Sequence, residues 1–376
     1  MKTIGLFVLP IVAACGRMGF DPGSGSNATP DAPPDHLTCG APAQFSVGAT
    51  TSHVSAATTP TGYNVFTVDG TGNVAGFIYE FQTGTLTQQA GDVLLMSNAT
   101  GPVGSLALGD QSILAVPYGR PSATGTALLP LDAQLTMRAQ PARQDGWFGS
   151  VSALAPTPGG GQAFLGQLAN GEVDAKLVSP LGVDQGAAHP VIGAAEGVSL
   201  PTILPIPAGF LVAWEADSPS PNAVRAEVLD PQLAITTPPT TMSFDMQFDS
   251  EIPRVAYSAT SDTYAFTWME KTSMGDQVWL SLRNGSLGET QHRMLGDGYA
   301  PAIVAGDHDF LVVWENGSQL DGARVTADGK ITLVSIMGSG GKFAAWDLVV
   351  HNGQPAVVWV EANGTGPNLR LDPLCN

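Results

Sequence analysis

Charged residues are scarce in this chain, and those of positive sign are the scarcest. Of 376 residues only 13% are charged, with 15 Lys and Arg against 33 Asp and Glu, which leaves a formal net charge of −18. A surface this acidic repels phosphate backbones and anionic lipid head groups, so we exclude nucleic acid and electrostatic docking on anionic membranes. The low charge also argues against long surface helices, whereas 45 Gly and 29 Pro favour many short strands and turns.

Common catalytic and metal-binding motifs are missing as well. None of the six histidines stands at a metal-ligand spacing, and there is no HExxH motif, so we expect no metal site. There is no G-x-S-x-G elbow, which leaves a serine hydrolase without support, and no phosphate-binding glycine loop. We therefore expect no cofactor and assign no catalytic residue. The segment 69–73, which faintly resembles a calcium loop, lacks the distal Glu and is interpreted as a turn.

The first residues form an export signal. A basic start is followed by the apolar run 4–14, which is too short to span a bilayer as a helix. The sequence Val12-Ala13-Ala14-Cys15 resembles the lipobox of bacterial lipoproteins. That resemblance implies that residues 1–14 are a removed signal peptide and that Cys15 carries the lipid anchor. Gly16, where Asp favours the inner membrane, points to the outer membrane.

A tether follows the lipid attachment site. Residues 15–38 are rich in Gly, Ser, Pro and Asp, and such a segment buries too little apolar surface to offset its ordering entropy. We expect a flexible linker between the membrane and one folded domain, residues 39–376.

A block of about fifty residues recurs along that domain. Its clearest copies are Phe210–Glu215, Phe310–Glu315 and Ala356–Glu361. Alignment on the Trp of these copies gives equivalent positions 45 to 54 residues apart at Thr67, Pro117, Gln167, Trp214, Trp268, Trp314 and Trp359. Four short strands separated by Gly and Asp turns in each unit predict an all-β fold, a seven-bladed β-propeller, with six or eight blades as alternatives. A string of β-sandwiches is the competing fold, but it needs a period of roughly 100 residues.

One unit shows the four strands well, at 300–305, 310–314, 322–326 and 331–335, with an Asp-Gly hairpin turn at 327–329. The lipobox and these units together resemble the poorly characterised repeat-propeller lipoproteins of bacterial envelopes. The resemblance concerns architecture and implies no reaction and no functional residue.

The two ends of the domain predict ring closure. The last unit lacks a fourth strand, and the strand-like segment 43–47 precedes the first unit, so we expect the N-terminal strand to complete the last blade. With Cys15 assigned to the lipid, Cys39 and Cys375 remain near that junction. In an oxidising compartment we expect them to form a disulfide in place of the missing turn.

Each of the last four units also carries an acidic residue after its second strand and an Arg on its third strand. We interpret them as structural pairs facing each other across the hairpin, while the Trp residues pack between blades. The pairs are Glu215 with Arg225, Glu270 with Arg283, Glu315 with Arg324, and Glu361 with Arg370.

The remaining candidate is the end of the ring where each fourth strand leads into the next first strand. The loops there carry carboxylates and aromatic residues that suit a polyhydroxylated ligand or a cationic group. The ligand-face candidates are Asp145, Trp147, Phe148, Phe248, Asp249, Glu251, Asp297, Tyr299 and Phe343. The alternative reading is that the aromatics plug the channel and the acids are solvated loop residues.

Three functions follow from these observations. The favoured one is a non-catalytic, lipid-anchored binding module for a glycan, peptide or envelope protein. The second is an envelope assembly scaffold with no small ligand. The third is a polysaccharide-acting enzyme using two of Asp145, Asp249, Glu251 and Asp297 as acid and base.

Overall fold

A computed structural model of the chain describes residues 43–46, 51–82, 85–120, 123–158, 160–243, 248–306, 309–317, 319–336, 342–351, 354–363 and 366–373. Within these residues, 28 strands form seven four-stranded antiparallel sheets. Helix is confined, in the same residues, to one 3-10 turn at Ala194–Glu196. The predicted all-β class is confirmed.

The first four sheets are built from consecutive strands, each paired with the next. Sheet 1 contains β2 (His53–Thr59), β3 (Gly62–Val68), β4 (Val74–Gln82) and β5 (Thr85–Met96). Sheet 2 contains β6 (Gly104–Leu108), β7 (Gln111–Arg120), β8 (Ala123–Asp132) and β9 (Ala142–Asp145). Sheet 3 contains β10 (Trp147–Pro156), β11 (Gln162–Leu168), β12 (Val173–Val178) and β13 (His189–Ile192). Sheet 4 contains β14 (Val198–Ile206), β15 (Gly209–Ala216), β16 (Ala223–Leu229) and β17 (Ile235–Thr241).

Two further sheets follow the same pattern, and the last differs. Sheet 5 contains β18 (Asp249–Ser258), β19 (Thr263–Thr272), β20 (Gly275–Asn284) and β21 (Glu289–Asp297). Sheet 6 contains β22 (Tyr299–Ala305), β23 (Asp309–Asn316), β24 (Gln319–Thr326) and β25 (Ile331–Ile336). Sheet 7 contains β26 (Lys342–His351), β27 (Gln354–Asn363), β28 (Gly366–Pro373) and, as its fourth strand, β1 (Ala43–Ser46).

The first strands of the seven sheets surround a common axis. Each contacts the first strand of the next sheet, and β26 contacts β2, so the contacts form a closed circle. Buried apolar side chains fill every boundary between neighbouring sheets. This arrangement is a β-propeller, since four-stranded sheets that are apolar on both faces pack around an axis and leave only short edges.

The repeated tryptophans lie in these boundaries, as predicted. Trp214 packs with residues of sheet 3 and Trp268 with residues of sheet 4. Trp314 packs with residues of sheet 5 and Trp359 with residues of sheet 6. All four are at most 2% exposed. The second strand of each of these sheets therefore anchors it to the sheet before.

The turns between third and fourth strands share one construction. The side chain of Asp132 accepts hydrogen bonds from the amides of Gln134 and Thr136 at 2.9 and 2.8 Å. Leu135 in that turn has a φ of +60° and is nevertheless buried, so its side chain contributes to the core in spite of the backbone strain. Equivalent turns follow Asp230 and Asn284.

Candidate functional site

The two ends of the propeller differ in the connections that they carry. Because neighbouring strands are antiparallel, the fourth-to-first connections and the second-to-third hairpins lie at one end, which we call the upper end. The first-to-second and third-to-fourth turns lie at the other, lower end. The predicted ligand-face residues belong to the upper end.

Four carboxyl groups gather at the upper end where sheet 4 meets sheet 5. We name this group the rim cluster, and its members are Glu215, Asp217, Asp249 and Glu251. Glu215 accepts hydrogen bonds from the side-chain amide of Asn222 at 3.0 Å and from the backbone amide of Ile252 at 3.1 Å. Asp249 accepts one from the backbone amide of Asn222 at 2.9 Å.

Burial and like charge shape the acid–base chemistry of this cluster. Burial, with smaller contributions from the charges of Glu251 and Asp217, raises the pKa of Glu215 to about 7. Burial also raises the pKa of Asp217, whose carboxyl group is hydrogen-bonded to that of Glu215. Within the cluster, Glu251 forms an ion pair with Lys271 at 2.7 Å. Burial and like charge therefore favour the protonated form of Glu215.

A buried hydroxyl lies beside this cluster. Ser250 is fully buried, and its Oγ has no hydrogen-bond partner. Ser250 lies opposite Glu270 in the pairing of β18 with β19, so both side chains project from one face of sheet 5. Trp268, two residues before Glu270 on that face, packs against sheet 4. The Ser250 hydroxyl thus faces the boundary that Glu215 also faces.

Only part of this site was predicted. Asp249 and Glu251 are brought together, and Phe248 is half-buried immediately before them. Glu215 was assigned to a structural ion pair, and Asp217 and Ser250 were missed. Asp217 stands two residues beyond Glu215, and in an extended segment that spacing places two side chains on one face. This two-residue spacing could have predicted that Asp217 lies beside Glu215.

The remaining ligand-face candidates are spread over other boundaries. Asp145 is exposed and accepts a hydrogen bond from the Tyr118 hydroxyl. Tyr299 is 39% exposed, and burial together with Glu315 raises its pKa to about 12. Asp297 is exposed, and its carbonyl oxygen accepts a hydrogen bond from Trp314 at 3.2 Å. The side chains of Phe148 and Phe343 lie outside the described residues.

Trp147 is not a surface residue, contrary to the prediction. It is 7% exposed and stacks on Phe164 with ring centroids 5.2 Å apart. The Lys176 ammonium lies 4.3 Å from the centroid of its ring and pairs with Asp184 at 3.1 Å. The indole fills the boundary between sheets 2 and 3 because Gly166 leaves room for it there.

Adding a methyl group at Gly166 should therefore destabilise the fold. A Cβ at this position would stand 1.7 Å from a ring atom of Trp147, so we expect Gly166→Ala to lower the free energy of unfolding by roughly 1–3 kcal/mol. Chemical denaturation measures this change. Gly193→Ala is the control, since its Cβ meets nothing within 4 Å and its φ is −70°. Equal stability of the two variants would contradict the packing of Trp147.

Three of the four predicted Glu–Arg pairs are wrong, and the first of them is Glu215 with Arg225. Glu215 lies opposite Val224 and Arg225 lies opposite Trp214, so the two side chains leave opposite faces of sheet 4. Arg225 instead pairs with Glu196 at 2.7 Å. The strand offsets alone do not determine which residues stand opposite.

Two further pairs are not formed for a different reason: their members share a face of the sheet but stand six and four residues apart along the strand. Glu270 lies opposite Gln277, and Arg283 pairs with Glu289 at 3.0 Å. Glu315 lies opposite Leu320, away from Arg324, and accepts a hydrogen bond from the Trp346 indole at 2.6 Å. In sheet 7, Glu361 stands opposite Asn368 and Arg370 opposite Trp359, so the two residues are diagonal neighbours on one face. Their side chains lie outside the described residues, and this pair stays a prediction.

A second polar group lies on the axis of the ring. Asp347 of sheet 7 accepts hydrogen bonds from the amide of Ala56 in sheet 1 at 2.9 Å and from Leu348 at 2.7 Å. Burial raises the pKa of Asp347 to about 7, against the effect of the positive charge of Arg254 in sheet 5. Arg254 is 5% exposed. Both groups are shut away from solvent, so we regard them as structural.

The lower end carries an apolar groove between sheets 3 and 4. Its volume is about 280 Å³, and its lining is formed by Pro156, Thr157, Pro158, Pro205, Ile206, Pro207, Gly209, Phe210 and Pro231. No charged side chain takes part in this lining. The groove therefore offers shape but no convergent polar groups for catalysis or specific recognition.

Several predictions concern metals, membranes and cysteines. Among the described residues, no three His, Cys, Asp or Glu side chains form a group that could hold a metal ion. The segment 69–73 is a turn in which Asp69 accepts the amides of Thr71 and Asn73. Over the described part of the chain, no helix is long and apolar enough to cross a membrane. Cys15, Cys39 and Cys375 lie outside it.

Comparison with known proteins supports the fold. No protein-family model matches the sequence, and no curated protein matches it either. Polysaccharide lyase Uly1 is structurally similar, with a TM-score of 0.56 and 10% identity over 98% of this chain and 98% of that one. Sqt1 from Saccharomyces cerevisiae is also similar, with a TM-score of 0.51 and 12% identity over 86% of this chain and 84% of that one.

A third similar structure is itself a β-propeller domain, from the Trilobed protease of Pyrococcus furiosus. Its TM-score is 0.50, with 8% identity over 87% of this chain and 94% of that one. Identities this low show a shared fold alone, and propellers host unrelated activities. The chain is thus a β-propeller by structure, and its function has to be argued from its own residues.

Proposed function

We propose that this protein is a lipid-anchored envelope β-propeller that acts as a non-catalytic binding module for a glycan, peptide or envelope protein. The ligand contacts the upper end where sheets 4 and 5 meet. The single observation that carries the proposal is the rim cluster, in which Glu215 and Asp249 converge on Asn222 and Asp217 lies beside Glu215. Convergent polar groups at a propeller end are the arrangement expected of a recognition site.

The proposed whole molecule has seven blades closed by the N-terminal strand. Seven four-stranded sheets and the pairing of β1 with β28 support this ring. A removed signal peptide, a lipid on Cys15 and the tether 15–38 place the propeller at the bacterial outer membrane. A bond between Cys39 and Cys375 joins the ends of sheet 7. These parts of the proposal rest on the sequence.

Ligand binding should raise the midpoint of thermal unfolding of the full chain. A ligand that binds only the folded state stabilises it by mass action, by about 2.7 kcal/mol at a hundredfold excess over Kd. The measurement is a thermal scan against envelope glycans, peptides and soluble envelope proteins. We expect a shift with one class, and its loss in Asp217→Asn and Asp249→Asn.

The matched control for these variants is Asp110→Asn, which removes a carboxylate from an exposed turn at the lower end. This variant should keep the full ligand-induced shift. A panel that produces no shift would contradict the binding module and leave the assembly scaffold. A shift that survives both rim variants would place the ligand elsewhere.

A specific observation also favours the enzyme alternative. Glu215 and Asp217 are hydrogen-bonded carboxyls, and burial raises the pKa of Glu215 to about 7, which suits a general acid at neutral pH. In this alternative Glu215 donates the proton and Asp249 or Glu251 is the base. A polysaccharide that is shortened over time by the native chain, but not by Glu215→Gln, would establish it; binding without any change of chain length would exclude it.

A further inference from the structure

We propose that the rim cluster binds the primary ammonium group of its ligand, as found on an amino sugar or a lysine side chain. This inference rests on the binding function proposed above and adds the chemical class of the ligand. It is carried by two independent features of the boundary between sheets 4 and 5. These are the excess of carboxyl groups and the buried hydroxyl of Ser250.

The carboxyl groups outnumber the cations that face them. Four carboxyls form the rim cluster, and Lys271 is the cation paired there, with its charge taken up by Glu251. The charge of Asp217 raises the pKa of Glu215, so the two carboxyl groups repel each other when both are ionised. A bound cation can offset that repulsion. A neutral sugar cannot, because its hydroxyls leave the repulsion between the carboxylates in place.

Ser250 supplies a hydrogen-bonding atom that the protein does not use. Its Oγ is fully buried without a partner, although its backbone amide donates to the Asn222 carbonyl at 3.0 Å. Asn222 in turn donates to Glu215, so the backbone of Ser250 is linked to Glu215 through Asn222, while its hydroxyl faces the same boundary. A buried hydroxyl left unpaired destabilises a protein, and such a group in a native structure calls for a missing partner.

A primary ammonium matches both features. It carries one positive charge and three N–H donors, and therefore it can serve Glu215, Asp217 and the Ser250 oxygen together. Access is from the side of Asp217, which is exposed. A quaternary ammonium has the charge but no donors, so it leaves Ser250 unpaired. The described residues hold no three-ligand metal group, which makes a metal ion a poorer match.

The test is isothermal titration of the full chain at pH 7 with two pairs of probes. Glucosamine is compared with N-acetylglucosamine, and Nα-acetyl-lysine amide with its Nε-acetylated form, so that each pair differs only at the amine. Butylammonium and tetramethylammonium form a third pair that separates N–H donors from charge. We expect binding of the primary amines alone, and the two biological pairs distinguish an amino sugar from a lysine.

Ser250→Ala is the most informative variant, because its hydroxyl supports no other group and its loss should leave folding intact. We expect it to weaken amine binding about tenfold, the effect of one hydrogen bond to a charged group. Asp217→Asn should weaken it at least as much, and Asp110→Asn should not. If Glu215→Gln fails to fold, Ser250→Ala and Asp217→Asn still test whether the cluster binds the amine.

Three results would overturn the inference. Equal binding of tetramethylammonium and butylammonium would indicate diffuse attraction to an acidic surface. Unchanged affinity in Ser250→Ala would remove the hydroxyl from the site. Binding of N-acetylglucosamine at the rim, without binding of glucosamine, would refute the ammonium while leaving the proposed binding function standing. The proposed binding function itself would be contradicted only if none of the envelope glycans, peptides and proteins in the thermal scan bound.

Discussion

At pH 8.5, where the Asp347 carboxyl group is ionised, replacing Asp347 with alanine is expected to lower the free energy of unfolding by about 3–5 kcal/mol, because the change removes the acceptor of two buried amides and the negative charge near the buried Arg254. Arg254 and Asp347 project toward the axis from sheets 5 and 7, and each affects the ionisation of the other. The carboxylate also accepts the amide of Ala56 in sheet 1. Its loss therefore weakens the contact between the last sheet and the first, where the ring closes.

A cycle of variants separates the charge from the cavity. Arg254→Met with Asp347→Leu replaces both charges by apolar groups and should recover much of the stability that Asp347→Ala loses. Chemical denaturation is the measurement, and Asp110→Ala is the exposed control. If Asp347→Ala were no more destabilising than this control, the axial pair would play no part in holding the ring.

Mildly acidic solution is expected to stabilise the protein, and Glu227 should be the largest single cause. This side chain is completely buried between sheets 3 and 4. Neither of its carboxyl oxygens has a hydrogen-bond partner. Burial, and then the negative charge of Glu196, raises its pKa to about 8. The folded chain thus binds a proton that the unfolded chain, in which a glutamate has its ordinary pKa of 4.5, releases.

The sign of the effect follows from that difference. Since the folded state binds more protons, the free energy of unfolding is highest below about pH 4.5 for this group and falls as the pH rises toward 8. Glu215 and Asp347, whose pKa values are raised to about 7, act in the same direction. At pH 8.5 we expect Glu227→Gln to raise the free energy of unfolding by roughly 2–4 kcal/mol.

Denaturation of both chains at pH 5.5 and pH 8.5 measures this effect. Glutamine has nearly the shape of the protonated acid, so the variant should exceed the native chain by little at pH 5.5 and by much more at pH 8.5. The exposed Asp110→Asn should change neither value. A variant that is destabilised at both pH values would mean that Glu227 is charged and paired in the folded protein.

The course of the strands could be predicted because each hairpin has a local signal. Sheet 6 illustrates this: Ala327-Asp328-Gly329 marks the turn between β24 and β25, and Gly329 has a φ of +84°. The strand at 43–46 was predicted from the missing partner of the last unit, and it pairs with β28. These features depend on the residues of the turns and on the alternation of apolar and polar residues, and both can be recognised within a short segment of sequence.

The residues of the site depended on register, which no short segment carries. In β18 the pairing shifts between Glu251 and Arg254 at a bulge, and Ile252 there has a φ of +56°. That bulge directs the amide of Ile252 toward Glu215 in the neighbouring sheet. No hydrophobic pattern in the sequence predicts this bulge. The strand that carries Glu215 could therefore be predicted, but its hydrogen bond with the Ile252 amide could not.

The burial of Glu227 and of Trp147 could not be predicted from the sequence either. Glu227 alternates with Ala226 and Val228 in β16, which suggests an outward-facing polar position, yet sheet 3 covers that face of sheet 4. Trp147 was predicted on the surface because it follows a turn. It is buried instead because its ring occupies the space that Gly166 leaves free. Both outcomes depend on what the neighbouring sheet presents, which is a tertiary property.

Hydrogen–deuterium exchange of the full chain with and without glucosamine or Nα-acetyl-lysine amide tests the central claim most directly. The account predicts slower exchange in residues 216–222 and 249–252, which frame the rim cluster, and no change in the lower-end turns. Ser250→Ala should abolish that protection. Protection confined to the apolar groove at Pro205 and Phe210, or none with any primary amine, would contradict a ligand site at the boundary of sheets 4 and 5.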